Sequence, residues 1–384
     1  MTVAKTFRHG THRSCSPDET WQELEQRLPA AGITRVADIT RLDRIGIPVF
    51  QAIRPSSLNL SVSQGKGLEP ILAKVSAVAE SIEGFSAQQP CLPTFRERLG
   101  IVREDLAYGI EELATTPNAL SDSMVIDWVP AEFMGSGTKT LVPLRYITLD
   151  FRISEAWRPP TFSPNSNGLA SGNCLEEAQV HALCELIERD ALASADRPRL
   201  VNLDSLPADD DCWQPLYLCV TAGVDVLVWH LRACGNLPAF LCRISSSDLP
   251  MPFQGSGAHP SKSVALSRAL TEAAQSRLTH ISGARDDLLE SDYWPNRWSR
   301  RRAQDTTDAA LDWSAIPEWS NASIDEDRDQ LTLEIESASS APIWVDLTDR
   351  DIAFPVVRVI SPTLRFDHHA TVGRSAPRDP QSEP

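Results

Sequence analysis

The sequence predicts an α/β (α+β) architecture with mixed sheets and packed helices, and three observations carry that expectation. Apolar residues alternate between helical and strand periods along the chain rather than keeping one period throughout. Three separated helical segments have small apolar backs and acidic, amide or guanidinium fronts, which suggests one shared polar cavity. The 384 residues suffice for one large or two ordinary domains with a full core, and no tandem repeat is visible.

Residues 17–30 read as a helix opened by Ser16-Pro17 with acidic residues in its first turn, followed by strand-like 32–40 and 47–53. A helix over 69–87 follows Gly67. Residues 94–113 fit neither period cleanly, and 124–129 and 140–150 read as strands. A long helix spans 173–194. Pro198 and Asp209-Asp-Asp211 mark loops, then come a helix near 212–222 and apolar strands 224–232 and 237–244. Gly255-Ser-Gly257 and Pro260 precede a helix over 260–281. The polar, Trp-rich stretch 291–325 reads as a surface excursion before a helix near 326–338 and strands near 342–346 and 355–360.

The acidic pattern is the chemical signal. Near 100° per residue, Glu177, His181, Glu185 and Glu188 share a stripe of the 173–194 helix. Like charges at these spacings repel by a few tenths of a kcal/mol even in water. Hard divalent cations with oxygen ligands would resolve the repulsion. In the first helix Ser76, Glu80 and Glu83 repeat the layout; in the third, Arg268, Glu272 and Gln275 line one face. A lone Glu-x-x-Glu is usually a solvated surface pair. Three such faces are not.

These segments resemble the nucleotide-binding signature of the YcaO family: Ser76 and Glu80; then Asn173, Glu177, Glu185, Glu188 and Arg189; then Arg268, Glu272, Gln275 and Arg277. The order and wide separations match as well. Gly32–Thr40, Leu42–Val49, Ser63–Gly67 and Gly283–Asp287 resemble stand-alone members, often those accompanied by a TfuA-like partner. The resemblance covers roughly residues 8 to 360. It implies a YcaO-type fold enclosing an ATP/Mg site and ATP-dependent activation of a peptide backbone amide. A neighbouring Cys, Ser or Thr of the peptide would then give an azoline, and an external sulfide source a thioamide. The implied boundaries are 1–55 for the family's N-terminal part, 56–371 for the catalytic domain and 372–384 for a disordered Pro-rich tail.

Chemistry assigns roles beside the resemblance. Glu80, Glu83, Glu185 and Glu188 are the candidate Mg2+ ligands, because magnesium takes one or two carboxylates per ion and leaves the rest to phosphate and water. Arg189, Arg268 and Arg277 offer the guanidinium fork that phosphoryl oxygens accept. Arg277 lies nine positions beyond Arg268, about half a turn away, so the two cannot face the same way on a straight helix. Ser76 and Gln275 suit hydrogen bonds to ribose, base or phosphate. Asn173 fits both a helix N-cap, with Glu176 at N3, and a polar ATP contact. Gly65-Lys66-Gly67 lacks P-loop spacing and taken alone is a turn, though Lys66 belongs with the ATP-binding candidates. His181 reads as a packing residue, and His368-His369 as surface.

Composition narrows the partners. With 36 Lys and Arg against 52 Asp and Glu, the net charge of −16 argues against nucleic acid. No apolar run approaches membrane-spanning length and the N-terminus lacks a signal-like apolar region, so a cytoplasmic protein is expected. Eight cysteines form no Cys-x2-Cys pair, and reduced structural thiols are the default. The expected partners are a precursor peptide, a TfuA-like or ThiF-like protein and a second copy in a homodimer. Azoline-forming relatives typically end in Pro-x-Pro-x-Pro, whereas Pro377, Pro380 and Pro384 are spaced by three and four, which favours thioamidation. Two further departures are Gly84, where an Arg often follows the matching Glu, and Ala265, where an acidic residue is common.

Overall fold

A computed structural model describes residues 2–113, 120–150, 152, 161–162, 164–194, 198–285 and 309–365. The helices are α1 (Pro17–Glu25), α2 (Pro70–Gln88), α3 (Leu99–Val102), α4 (Leu144–Ile147), α5 (Leu175–Ser194), α6 (Trp213–Thr221), α7 (Lys262–Ser282) and α8 (Ile324–Ala338). Strands β1 (Arg35–Asp38), β2 (Val49–Ile53) and β3 (Val62–Lys66) form an antiparallel sheet in that order. A second sheet runs β11-β10-β9-β8, from β8 (Arg199–Leu200), β9 (Asp225–His230), β10 (Ala239–Ser246) and β11 (Leu249–Ala258). The third runs β4-β5-β12-β13-β7, with β6 (Lys139–Pro143) also paired to β5. Its members are β4 (Phe95–Arg98), β5 (Val125–Phe133), β7 (Leu169–Ser171), β12 (Ile343–Asp346) and β13 (Val356–Ile360).

Local chemistry sets the helix ends. Ser16 and Glu19 close a capping box at α1, with Pro17 supplying the first helical residue, and Ser323 with Glu326 repeats the box at α8. Helix α7 stops at Gly283, whose φ of 57° is the left-handed conformation glycine adopts without a Cβ penalty.

The mixed architecture agrees with the sequence expectation, and the departures have physical reasons. Gly65-Lys66-Gly67 taken alone reads as a turn, yet Gly65 and Lys66 lie in β3, and Gly255-Ser-Gly257, expected only to precede a helix, lies in β11. A Cβ on Gly65 would run into the Ala77 backbone of α2, and one on Gly255 into the Ala273 backbone of α7. Glycine lowers strand propensity, but here it lets a helix lie directly on the strand. The strand expected over 140–150 ends at Pro143 and turns into α4. Within the stretch expected as a surface excursion, Trp313 is buried and stacks on Phe240 with ring centroids 5.9 Å apart, and Leu311 bridges Val201. Residues 291–308, His368-His369 and the Pro-rich tail lie outside the described residues.

Candidate nucleotide and metal site

Three strand-to-helix units build the site: β3 into α2, β7 into α5, and β11 into α7. Gly172, after β7, repeats the device of the other two, since a Cβ there would stand 2.6 Å from the Ala178 backbone N. The close approach of helix to strand brings the polar fronts of α2, α5 and α7 together.

Glu83, Glu185, Glu188 and Glu272 face one another across this junction. Burial pushes the Glu83 carboxyl up to about 8, and the charges of Glu80 and Glu185 add to the rise against the hydrogen bonds from Ser171. Ser171 donates to Glu83 Oε1 from its backbone N at 2.8 Å and its Oγ at 2.7 Å. Glu185 is pushed up to about 7, first by burial and then by Glu188 and Glu272, although Arg189 and Arg358 oppose the rise. Burial and Glu272 likewise raise Glu188, which accepts from Ser256 Oγ at 2.5 Å and Ala258 N at 3.1 Å. Glu272 is the exception. Burial is the largest single influence and would raise it, but the Lys66 ammonium, 2.8 Å away, with Arg189 and the Ser256 amide together hold it below the ordinary range. Glu80 is exposed at the edge of α2.

Cations on the same junction are under-used. Arg189 Nη2 stands 3.7 Å from Glu185, and its buried Nε has no partner among the described residues. Arg268 is partly buried, and burial followed by the nearby charge of Arg13 lowers its pKa. It makes no ion pair among the described residues. The buried Gln275 Oε1 also lacks a partner, and Ser76 is half-buried on α2. Crowded carboxylates raised by burial and then by mutual repulsion, beside orphaned donors and acceptors, fit a site for polyphosphate and divalent cation. Among the described residues no three acidic, His or Cys groups form a ready-made metal cage. That suits magnesium, which takes few protein ligands and fills its shell with phosphate and water.

Other sequence candidates stand elsewhere. Arg277 turns away from the cluster: Nε meets Asp43 at 2.8 Å, Nη2 meets Asp248 at 2.8 Å and Nη1 donates to Ser246 Oγ at 2.7 Å. The half-turn offset from Arg268 is the reason, and the expected phosphate contact is replaced by a structural ion-pair network. Glu177 is held by Arg13 Nη1 at 3.0 Å, Ser14 N at 2.9 Å and the Asn173 side-chain amide at 3.0 Å. Asn173 is not the N-cap, because α5 begins at Leu175. It links α1 to α5 instead, its Oδ1 accepting from Thr20 Oγ1 at 2.8 Å.

Sequence reasoning missed Ser171, Ser256 and the Ala258 amide, which hold Glu83 and Glu188. It also missed Arg54, which lies beside Gly84, its Nη2 3.2 Å from where a Cβ there would stand, and donates to Gln88 Oε1 at 2.7 Å. Burial lowers its guanidinium to about 10. The only available signal for the serines was their place beside glycine in Ser171-Gly172 and Gly255-Ser-Gly257.

Comparison with known proteins agrees with this geometry. Residues 64–365 match the family model described as YcaO cyclodehydratase, ATP- and Mg2+-binding. An uncharacterized protein of Mycobacterium tuberculosis is 37% identical over 376 residues, covering 93% of this chain and 83% of its own. A Rhizobium leguminosarum bv. trifolii protein in the tfuA 3′ region is 35% identical over 292 residues, 72% of this chain and 69% of its own. Among solved structures, a heterocyclase in complex with substrate and cofactor superposes with a TM-score of 0.81 at 22% identity, covering 95% of this chain and 54% of that longer one. YcaO from Methanopyrus kandleri bound with AMPPCP and Mg2+ gives 0.76 at 21%, covering 94% and 95%. The fold with its three strand-to-helix units, the carboxylates gathered on them and the family match over most of the chain lead to one conclusion: the protein belongs to the YcaO family, whose members bind ATP and Mg2+.

Proposed function

We propose that this protein activates a peptide backbone amide by O-phosphorylation with ATP and converts it to a thioamide in a ribosomally synthesised, post-translationally modified peptide. The observation that carries the reading is the set of mutually repelling carboxylates on α2 and α5, Glu83, Glu185 and Glu188, flanked by Lys66, Arg189 and Arg268. Such a junction suits a triphosphate and its cation. Glu80, Glu83, Glu185 and Glu188 would hold Mg2+, which supplies charge neutralisation on the phosphates when bound. Arg189 and Arg268 would donate to phosphoryl oxygens, and Ser76 and Gln275 would hydrogen-bond the rest of the nucleotide, while Asn173 and Glu177 would brace α5 from behind.

In the chemistry proposed, the amide oxygen attacks the terminal phosphorus of ATP and ADP leaves. An amide oxygen is a poor leaving group, and phosphorylation makes it a good one. A sulfur nucleophile then adds at the amide carbon and phosphate departs. The relative in the tfuA 3′ region supports an external sulfur donor and a TfuA-like partner over a ThiF-like one. The family model's cyclodehydratase description and the heterocyclase likeness favour a second reading, azoline formation by a side chain of the peptide itself.

Magnesium-dependent ATP consumption that rises only on adding a precursor peptide tests the common step. A product heavier by about 16 Da with added sulfide supports thioamide formation, and one lighter by about 18 Da without sulfide supports the azoline. ATP consumption indifferent to every peptide encoded beside the gene overturns both.

A further inference from the structure

Two local penalties meet in one turn of α2. Gly84, directly after Glu83, lies inside the helix, where glycine gives up more backbone freedom than alanine would. Beside it stands Arg54, 3% exposed and without an ion pair among the described residues. A buried guanidinium with no carboxylate is unfavourable, because its hydration is lost and no opposite charge replaces it.

Each penalty explains the other. A Cβ on Gly84 would stand 3.2 Å from Arg54 Nη2 and 3.4 Å from Asn59 Nδ2, so the missing side chain is the room that the guanidinium fork occupies. There Nη1 donates to Gln88 Oε1 at 2.7 Å and Nη2 to Asn59 Oδ1 at 3.2 Å. Asn59 in turn donates from Nδ2 to the Gly84 carbonyl at 3.3 Å. Leu58 N also donates to Gln88 Oε1, at 2.7 Å, and the Arg54 fork lies 5.7 Å from the centre of the Phe85 ring. Residues 84, 85 and 88 are therefore gripped from one side by the chain that follows β2.

Architecture alone would be served by alanine at 84 and an apolar residue at 54. Conflicts of this kind between local preference and structure gather at functional sites. The functional group in this turn is Glu83, whose carboxylate end is fixed from the opposite side by Ser171, through its backbone N at 2.8 Å and its Oγ at 2.7 Å.

We propose that Arg54 is a positioning residue for the magnesium site: it fixes the α2 turn that carries Glu83, acting through Gln88, Asn59 and the Gly84 backbone and touching neither metal nor nucleotide. The assignment rests on Glu83 as a magnesium ligand, part of the reading above. Ser171 holds the carboxylate end of that side chain, and Arg54 with Asn59 holds the backbone end. A ligand held at both ends keeps its orientation as the cation arrives, and little ordering entropy is left to lose. Arginine suits the task because one rigid planar fork reaches Gln88 and Asn59 at once, which the point charge of a lysine on its flexible stem does not match.

Gly84→Ala tests this without removing any partner. Its methyl presses on Arg54 Nη2 while favouring the helix, so the melting temperature should hold or rise. The Mg2+ concentration that gives half-maximal AMPPCP binding, read by calorimetry, should nevertheless increase by about fivefold, and in Arg54→Met by about tenfold. A variant at least as stable as wild type that needs more Mg2+ separates positioning from support of the fold. In Arg54→Ala with Gly84→Arg the guanidinium returns from α2 itself, and the requirement should fall back to within about threefold of wild type. Glu83→Gln is the control. A raised Mg2+ requirement in Glu83→Gln, with wild-type values in Gly84→Ala and Arg54→Met, would overturn the role of Arg54 alone. A wild-type value in Glu83→Gln would overturn Glu83 as a ligand, and this assignment with it. Should Arg54→Met fail to fold, Gly84→Ala decides by itself.

Discussion

Glu188 on α5 and Glu272 on α7 converge on a single residue of β11: Ser256 donates from its Oγ to Glu188 at 2.5 Å and from its backbone N to Glu272 at 3.5 Å. The two carboxylates therefore share a donor and repel each other, and only Glu272 has an ammonium partner, in Lys66. Glu188 is the one left needing a cation.

Glu188→Gln should accordingly lower magnesium-dependent ATP turnover by about 100-fold or more, since one metal contact is lost. The amide is isosteric: its oxygen can accept from Ala258 N and its NH2 can donate to Ser256 Oγ. Relief of the repulsion should leave the melting temperature unchanged or about 1–2 °C higher. Wild-type turnover in a folded variant would remove Glu188 from the metal site.

Stability should depend on pH in a direction that the raised carboxylates fix. With Glu185 near 7 and Glu83 near 8, the folded protein holds protons that the unfolded chain has already released above its ordinary value of about 4.5. The unfolded state binds fewer protons across that window, so stability falls as pH rises from about 5 to about 8. Mg2+ with AMPPCP should then raise the melting temperature more at pH 8 than at pH 6, because at the lower pH it must displace protons. Thermal scans of wild type and Glu83→Gln settle this. An identical pH slope in the two would sink the assignment to Glu83.

How far the sequence reveals this site depends on which interaction set each element. Helices α2, α5 and α7 were legible because a 3.6-residue period survives in their apolar backs, and their acidic fronts sit where that period puts them. Strands β3 and β11 were not, because Gly65, Gly255 and Gly257 serve a helix packed above them, a tertiary cause that local propensity does not register. The Asn173 N-cap failed by one residue at a helix boundary, where a side-chain bond to Glu177 competes with capping. Trp313 sits in a polar run, and only its partner Phe240, 73 residues earlier by numbering, reveals it as core. The grip of Arg54 and Asn59 on Gly84 joins the end of a strand, a turn and a helix, a grouping no local pattern contains.

The strand glycines carry a stability prediction. Gly65→Ala places a methyl against the Ala77 backbone, which cannot swing aside as a side chain could. Either α2 lifts from β3 or the strand bends, at a cost of about 3 kcal/mol or more. The same shift would carry Glu80 and Glu83 away from α5 and Lys66 away from Glu272. Chemical denaturation should show the loss, and nucleotide affinity should fall with it. A wild-type denaturation midpoint would mean that the helix–strand gap is wider than described.

Arg277 separates structure from chemistry most sharply. It is fully buried, and its fork is filled by Asp43, Asp248 and Ser246, tying the loop before β2 and the β10–β11 turn to α7. Asp248 is partly exposed and has Arg44 as a second partner at 3.1 Å, but the Asp43 side chain is 4% exposed and depends on Arg277. Arg277→Met would strand that carboxylate, and breaking a buried pair in this way costs about 3–5 kcal/mol. The double variant Arg277→Met with Asp43→Leu should recover much of the loss, since the unpaired charge goes with it. Through both changes the folded fraction should keep its KM for ATP, because neither side chain faces Glu188 or Glu272. A large rise in that KM, with the fold retained in the double variant, would return Arg277 to the nucleotide site that its place in the family signature suggests.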